Sequence, residues 1–251
     1  MSNAVENGNR VTFGFGNPDV DSYEVVFDYL GLTDINTIRT SSIPLAQYWK
    51  NYDKRIREIE TFLSLKLEHP KILFEYATAS SGNSNSSSMT DIMILSENDI
   101  RVAIEAKYME LIDGHYESID NWLQKSMGNS KNKENVLLHW TRKIEPYSDS
   151  NLSDIGDVPY QFFHRLASAC NRSPKTAGML YQIFYDEETK SSLQGTLELL
   201  EKAKAKIQPK GNLKITFQPI PCELKKTVDT NTLSDIFHRL KRENFYRFLN
   251  D

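Results

Sequence analysis

The chain has 251 residues, of which 39% are hydrophobic and 25% are charged, and its formal net charge is −4 at pH 7. This balance is typical of a folded globular protein and argues against intrinsic disorder. A mildly acidic total also counts against non-specific binding to nucleic acid.

The two cysteines, Cys170 and Cys222, are too few for a disulfide framework, and no Cys/His cluster indicates zinc. The cysteine content therefore predicts a reducing compartment.

The chain lacks targeting and membrane-spanning signals. Its first residues have no apolar core of the kind found in signal peptides, and no run of about 18 apolar residues occurs. We therefore expect a soluble, cytoplasmic protein with no membrane partner. No linker clearly divides the sequence, so we expect one domain over residues 1–251.

The spacing of apolar residues predicts alternating helices and strands, since apolar residues three or four apart indicate a helix and strict alternation indicates a strand. In chain order, we predict a strand at 11–15, a helix within 20–32 that ends at Gly31, a helix from 41 or 42 to about 69, strands at 71–77, 90–95 and 100–107, a helix at 157–170, a strand at 177–185, a helix at 193–207, a strand at 213–220 and a helix at about 233–249. This order predicts an α/β fold, a mixed central β-sheet flanked by helices.

The strands at 90–95 and 100–107 form a predicted β-hairpin that carries charged residues. Glu105 and Lys107 are two residues apart and so share one face of their strand. Asp91 joins that face if it lies opposite an odd-numbered residue such as Glu105. This register requires a turn with an odd number of residues, effectively five from 96 to 100, or a β-bulge. The pattern permits the three charged groups to meet without requiring it.

Charged residues on an apolar strand need a physical reason, because an unpaired buried charge is costly. Two carboxylates that meet can hold a hard divalent ion such as Mg²⁺, which prefers oxygen ligands and keeps several waters. A lysine two residues from one ligand can then orient an activated water and balance developing negative charge. The alternative is a solvated strand end with a simple ion pair.

The order of elements around the hairpin resembles the core of the PD-(D/E)XK nuclease superfamily, in its restriction-endonuclease-like form. A Glu-rich helix, a Ser/Gly/Asn segment at 80–88, the Asp91 strand and the strand with Glu105-Ala106-Lys107 follow one another as in that core. Thr90 stands where the name-giving proline would be. The resemblance covers roughly residues 55 to 170, about half of the chain, and implies a catalytic core at 41–185 with a C-terminal α/β extension at 186–251.

The resemblance also implies roles for individual residues. Asp91 and Glu105 would bind Mg²⁺, for which Mn²⁺ substitutes, and the Ala106 main-chain carbonyl would be a further metal ligand. Lys107 would be the catalytic lysine, and Gln161 on the next helix would add a polar catalytic group. An acidic residue from an earlier element is implied as well, and its candidates are Glu58, Glu60 and Glu75.

The implied activity is that of a metal-dependent DNA endonuclease, with duplex DNA as substrate and a homodimer as the assembly that cuts both strands. The alternative is a catalytically inactive nuclease fold that binds nucleic acid or a protein partner. Residues 122–143 carry five cations and one anion together with Trp122 and Trp140. That mixture suits contacts with phosphates and bases, and it also suits a solvated loop anchored by two tryptophans.

Overall fold

In the part of the chain that the structure describes, eight strands form one mixed sheet in the order β2-β1-β3-β4-β5-β6-β7-β8. The computed structural model describes residues 10–16, 18–31, 37–79, 87–110, 116–125, 130–225 and 236–249. The strands are β1 Thr12–Phe15, β2 Asp19–Val20, β3 Lys71–Ala79, β4 Ser87–Ser96, β5 Ile100–Lys107, β6 Thr176–Tyr185, β7 Leu213–Leu224 and β8 Tyr246–Phe248. β3, β4 and β5 are antiparallel neighbours, whereas β5, β6 and β7 run parallel.

Helices cover both faces of the sheet, so the predicted single α/β domain with a mixed sheet is confirmed. Within the described ranges the α-helices are α1 Tyr23–Leu30, α2 Ser42–Tyr48, α3 Tyr52–Leu63, α4 Ile119–Gln124, α5 Ser130–Ile144, α6 Tyr160–Ala169, α7 Lys190–Ile207 and α8 Ile236–Arg242, with 3-10 turns at Trp49–Asn51 and Glu145–Tyr147. None of the helices in the described ranges has both the length and the apolarity that a membrane crossing requires.

The sheet separates two hydrophobic cores, and alternation along the strands decides which residues enter each. In β4 to β7, even-numbered residues such as Ile92 and Ile104 face a core that α1, α2 and α3 complete. Odd-numbered residues such as Met93 and Ala103 face a second core, completed by α5, α6 and α7. This alternation follows from the two-residue period of a strand, and it assigns the odd-numbered charged residues of the hairpin to the second face.

The predicted long helix over residues 41–69 is wrong at its end and in its continuity. The 3-10 turn divides it into α2 and α3, and α3 ends at Leu63 because Ser64 adopts a left-handed conformation with φ of 51°. The N–H of Leu65 then bonds to the carbonyl of Glu60 at 3.0 Å. This closure is a known way to satisfy the last carbonyls of a helix, and it frees residues 65–70 to lead into β3.

The predicted closing helix is wrong in its second half. α8 ends at Arg242, and β8 then pairs with Cys222–Leu224 of β7. The side-chain oxygen of Gln47 accepts the N–H groups of Phe245 and Tyr246 at 2.8 and 2.9 Å. These long-range bonds hold the segment away from a helical path.

Two further segments differ from their predictions. The Ser, Asn and Gly content of residues 80–88 predicts a loop, but β4 begins at Ser87, and residues 80–86 lie outside the described ranges. For residues 122–143 a solvated loop is one of the two interpretations above, yet they include part of α4 and most of α5. Trp140 of α5 is buried and stacks 4.4 Å from the ring of His164, so it anchors a helix and not a loop.

Candidate functional site

The register between β4 and β5 sets the geometry of the site. Met93 lies opposite Ala103, and Ile92 lies opposite Ile104. One residue further in the same register, Asp91 comes level with Glu105. The predicted register, with Met93 opposite Ala103, is confirmed. The predicted five-residue span from 96 to 100 closes one pair earlier than expected, because Ser96 and Ile100 pair and leave three residues between them. Parity alone decides which face Asp91 occupies.

The two strands separate at the level of these carboxylates. The β4–β5 ladder ends at Ile92 and Ile104, while β3 and β4 stay paired as far as Ala79 and Ser87. Beyond the ladder, the main-chain N–H of Ala106 donates to Oδ2 of Asp91 at 2.7 Å. The Asp91 side chain thus replaces a strand partner, and the site lies where the sheet opens. The N–H of Ala106 serves this bond, while the role of its carbonyl as a metal ligand stays a prediction.

Glu75 extends the row of carboxylates onto β3. In the β3–β4 register Phe74 pairs with Ile92 and Tyr76 pairs with Thr90, which brings Glu75 level with Asp91. The pair between Glu75 and Asp91 is missing from the ladder, and Glu75 has φ of 49°. Left-handed backbone is costly for a residue with a Cβ, and such strain is concentrated at functional sites. Of the three earlier acidic candidates, Glu75 is the one that joins Asp91 and Glu105.

We predict that Glu75→Gly is more stable to unfolding than Glu75→Ala by about 1 kcal/mol, because only glycine adopts positive φ without a steric cost. Both substitutions remove the carboxylate, so the comparison isolates the backbone. Urea denaturation of the two variants measures the difference. Within an ordinary strand, glycine makes a protein less stable than alanine does. An alanine variant at position 75 that is as stable as the glycine variant, or more stable, would therefore contradict a strained backbone there.

Glu105 lies at the centre of a buried ion network. Its side chain is 2% exposed, Oε1 accepts from Nζ of Lys107 at 3.0 Å, and Oε2 accepts from Nε of Arg165. Burial by itself raises the pKa of Glu105, but Arg165 and Lys107 outweigh it and hold the pKa below its usual range. Glu105 is therefore a charged carboxylate with a cation on each oxygen.

Asp91 has the opposite electrostatic behaviour. Burial, followed by repulsion from the charge of Glu105, raises the pKa of Asp91 to about 8, against smaller opposing effects of Arg165 and Lys107. Burial and Glu105 also raise the pKa of Glu75, although Arg165 opposes them. The pKa values of two carboxyl groups that share a site move apart in this way, because ionising both places two negative charges close together.

Lys107 stays protonated although it is buried. Desolvation lowers the pKa of its ammonium group, but the charges of Glu105 and Asp91 outweigh that effect and raise the pKa above its usual value. A lysine in this state can stabilise negative charge or orient a water. It does not serve as a general base near neutral pH.

A cleft of about 530 Å³ opens onto this network. Gln161, His164 and Arg165 of α6 line it together with Lys107 of β5. The other lining residues are Met89, Glu110, Tyr116, Glu117, Pro159 and Tyr160. Gln161 and Arg165 are four residues apart in α6 and therefore share a helix face. This spacing explains why both line the cleft beside the ion network.

Arg165 was missed as a site residue by sequence reasoning. The i, i+4 spacing from Gln161 was the available signal, because a helix that directs Gln161 toward the strands directs Arg165 there too. His164, beside it, is buried, and burial followed by the charge of Arg165 lowers its pKa to about 2. His164 is thus a neutral packing partner of Trp140 and not a titrating group.

The structure does not bring Glu58 or Glu60 to this cleft. Both belong to α3, whose apolar residues pack in the core on the other face of the sheet. Glu58 accepts hydrogen bonds from Arg55 at 2.8 Å and from the Tyr48 hydroxyl at 3.0 Å. Glu60 pairs with Lys66 and accepts the N–H of Leu67. These carboxylates support the fold of α2 and α3.

The donor set of the site suits a hard divalent cation. Asp91 and Glu105 supply carboxylate oxygens from adjacent strands, and Mg²⁺ commonly uses one or two carboxylates together with waters. In the described ranges no group of three or more His, Cys, Asp or Glu side chains converges as a metal site. Because both oxygens of Glu105 are bonded to side-chain cations, a metal ion that binds Glu105 competes with these two positive charges.

Comparison with known proteins identifies one family. A family model described as a domain of unknown function, DUF6946, matches residues 27–218. This range includes β3 to β6, α6 and every residue of the carboxylate row. No curated protein matches the chain significantly, and no solved structure does so.

Proposed function

This chain belongs to the DUF6946 family, a domain of unknown function, and we propose that it is a metal-dependent DNA endonuclease of the restriction-endonuclease-like type. One observation carries the proposal. The β4–β5 register brings Asp91 level with Glu105, and Lys107 lies 3.0 Å from Glu105. The resemblance to PD-(D/E)XK nucleases requires this convergence, and a one-residue slip would have prevented it.

In the proposed reaction each residue has a separate task. When bound, Mg²⁺ would polarise the phosphate and lower the pKa of a coordinated water. Asp91 and Glu105 would hold the ion, and Asp91 would give up its proton when the ion binds. The ammonium group of Lys107 orients the attacking water and balances the charge that develops on the phosphate. Gln161, from the cleft wall, donates its amide N–H to a phosphate oxygen.

The test is cleavage of a supercoiled plasmid in Mg²⁺ or Mn²⁺ by the wild-type protein and by Glu105→Ala. We expect nicked and linear products from the wild type and a loss of about 10²-fold or more in the variant, because a charged ligand of the ion is gone. Glu97→Ala removes an exposed carboxylate in the hairpin turn and serves as the matched control. Equal cleavage by wild type and Glu105→Ala would contradict the assignment.

A catalytically inactive nuclease fold is the second candidate, and the paired state of Glu105 favours it. With Lys107 and Arg165 on its two oxygens, Glu105 is already neutralised without a metal ion. Calorimetric titration with Mn²⁺ separates the two functions. A nuclease binds the ion and loses binding in Glu105→Ala, whereas a binding module shows no saturable heat in either protein.

The proposal includes duplex DNA as substrate, a homodimer as the cutting assembly and a cytoplasmic location. Cys170 and Cys222 are both free and buried, which is compatible with a reducing compartment. Size-exclusion chromatography with light scattering, with and without a DNA duplex, measures the assembly.

A further inference from the structure

Arg165 reaches the carboxylate row from outside the sheet. α6 packs across β4, β5 and β6, and the guanidinium comes down onto Glu105 from the face that carries the cleft. Its side chain is 9% exposed, and its Nε donates to Oε2 of Glu105. Lys107, in contrast, belongs to the same strand as Glu105. The two cations therefore approach one carboxylate from different elements.

Arg165 occupies the side of Glu105 where the proposed reaction requires a divalent ion. A guanidinium on Oε2 supplies the positive charge that a divalent ion would supply to the same carboxylate. Two cations on one carboxylate oxygen repel each other, so the ion and Arg165 compete for Glu105. The displaced guanidinium stays beside the cleft that it already lines, where a phosphate group of DNA would offer new oxygen acceptors. Arginine matches phosphate well, because its planar fork donates two parallel hydrogen bonds.

We infer that Arg165 exchanges partners during the reaction: it holds Glu105 in the metal-free protein and binds a DNA phosphate when a divalent ion takes its place at Glu105. This inference rests on the proposed function. It assigns to α6 a role in coupling metal binding to substrate binding. Either ligand, the divalent ion or the DNA phosphate, favours the separation of Arg165 from Glu105, and this separation makes binding of the other ligand more favourable. Lys107 remains next to Glu105 throughout, so the two cations have different roles.

The test uses opposite effects on two measurements. Arg165→Met removes the competitor for Glu105, so calorimetry without DNA is expected to show Mn²⁺ binding at least about tenfold tighter than in wild type. The same variant is expected to cleave plasmid about 10²-fold more slowly, because the phosphate loses its bidentate partner. Arg57→Met removes the same charge from an exposed site on α3 and is expected to match wild type in both measurements.

A merely structural role predicts a different pattern, in which Arg165→Met weakens Mn²⁺ binding and cleavage together. That result, or no change in either measurement, overturns the inference. Arg165→Lys keeps the charge but not the fork, so its Mn²⁺ affinity should stay close to wild type while cleavage falls about tenfold or more. If the methionine variant does not fold, the lysine variant decides, and unchanged cleavage overturns the inference.

The controls also separate this inference from the proposed function. A wild-type protein that neither binds Mn²⁺ nor cleaves DNA contradicts the nuclease proposal itself. A wild-type protein that does both, with Arg165→Met indistinguishable from it, contradicts only the role of Arg165.

Discussion

Replacing Lys107 with methionine is expected to slow plasmid cleavage by about 10²–10³-fold without loss of Mn²⁺ binding. The ammonium lies 3.0 Å from Glu105 and stays protonated, because Glu105 and Asp91 raise its pKa against the effect of burial. Its loss removes the charge that stabilises the transition state. It also removes a positive charge that repels a nearby metal ion, so metal affinity should be equal or higher.

Single-turnover cleavage at saturating Mn²⁺ measures the chemical step, and calorimetry without DNA measures the metal. Lys66→Met removes a lysine whose side chain is 74% exposed and which pairs with Glu60 on the other side of the sheet. This control should behave as wild type. A folded Lys107→Met protein that cleaves at the normal rate would exclude lysine from the reaction. One that no longer binds Mn²⁺ would make Lys107 a support for the site and not a catalytic group.

The second large effect is a dependence of metal binding on pH. Burial and the charge of Glu105 raise the pKa of Asp91 to about 8, so below that pH the ion must displace a proton. Apparent Mn²⁺ affinity should therefore rise about tenfold for each pH unit up to about 8 and then level off. Titrations from pH 6 to 9 in buffers with different ionisation enthalpies give both the affinity and the number of protons released.

About one proton should be released per ion at pH 6 to 7, and fewer as the pH passes 8. The flanking cations, Lys107 and Arg165, stay protonated across this range, because the nearby carboxylates raise the pKa of each above its usual value. A release that is constant from pH 6 to 9, or an affinity that does not change, would exclude Asp91 as a protonated ligand. Asp91→Asn has no proton to lose and should show weak binding without this pH dependence.

The same pKa has a consequence for the metal-free fold. A carboxyl whose pKa is higher in the folded than in the unfolded protein contributes stability at low pH that is lost as the pH rises. For Asp91 that contribution is present below its ordinary pKa near 3.8 and is lost as the pH approaches about 8. As the pH rises across this range, the free energy of unfolding of the wild type should therefore fall relative to that of Asp91→Asn. Urea denaturation of both proteins at several pH values measures this difference.

Local patterns were sufficient for much of the fold. β3, β4 and β5 are rich in β-branched and aromatic residues with a two-residue period, so their positions were predictable within a few residues. Helix ends were less predictable, since α3 stops at a left-handed Ser64, a residue type with no special preference for that conformation. β8 was not predictable, because the bonds from Gln47 to Phe245 and Tyr246 join residues almost 200 positions apart.

The sequence by itself determined that Asp91, Glu105 and Lys107 belong to two neighbouring strands, because strand alternation and a polar turn are local properties. Only the tertiary structure decided that Glu75 completes the row and that Glu58 and Glu60 support the opposite face. It also decided that Arg165, 60 residues after Glu105, meets that carboxylate. The physical reason is that helix packing across a sheet depends on the whole core, whereas alternation along a strand depends only on the backbone.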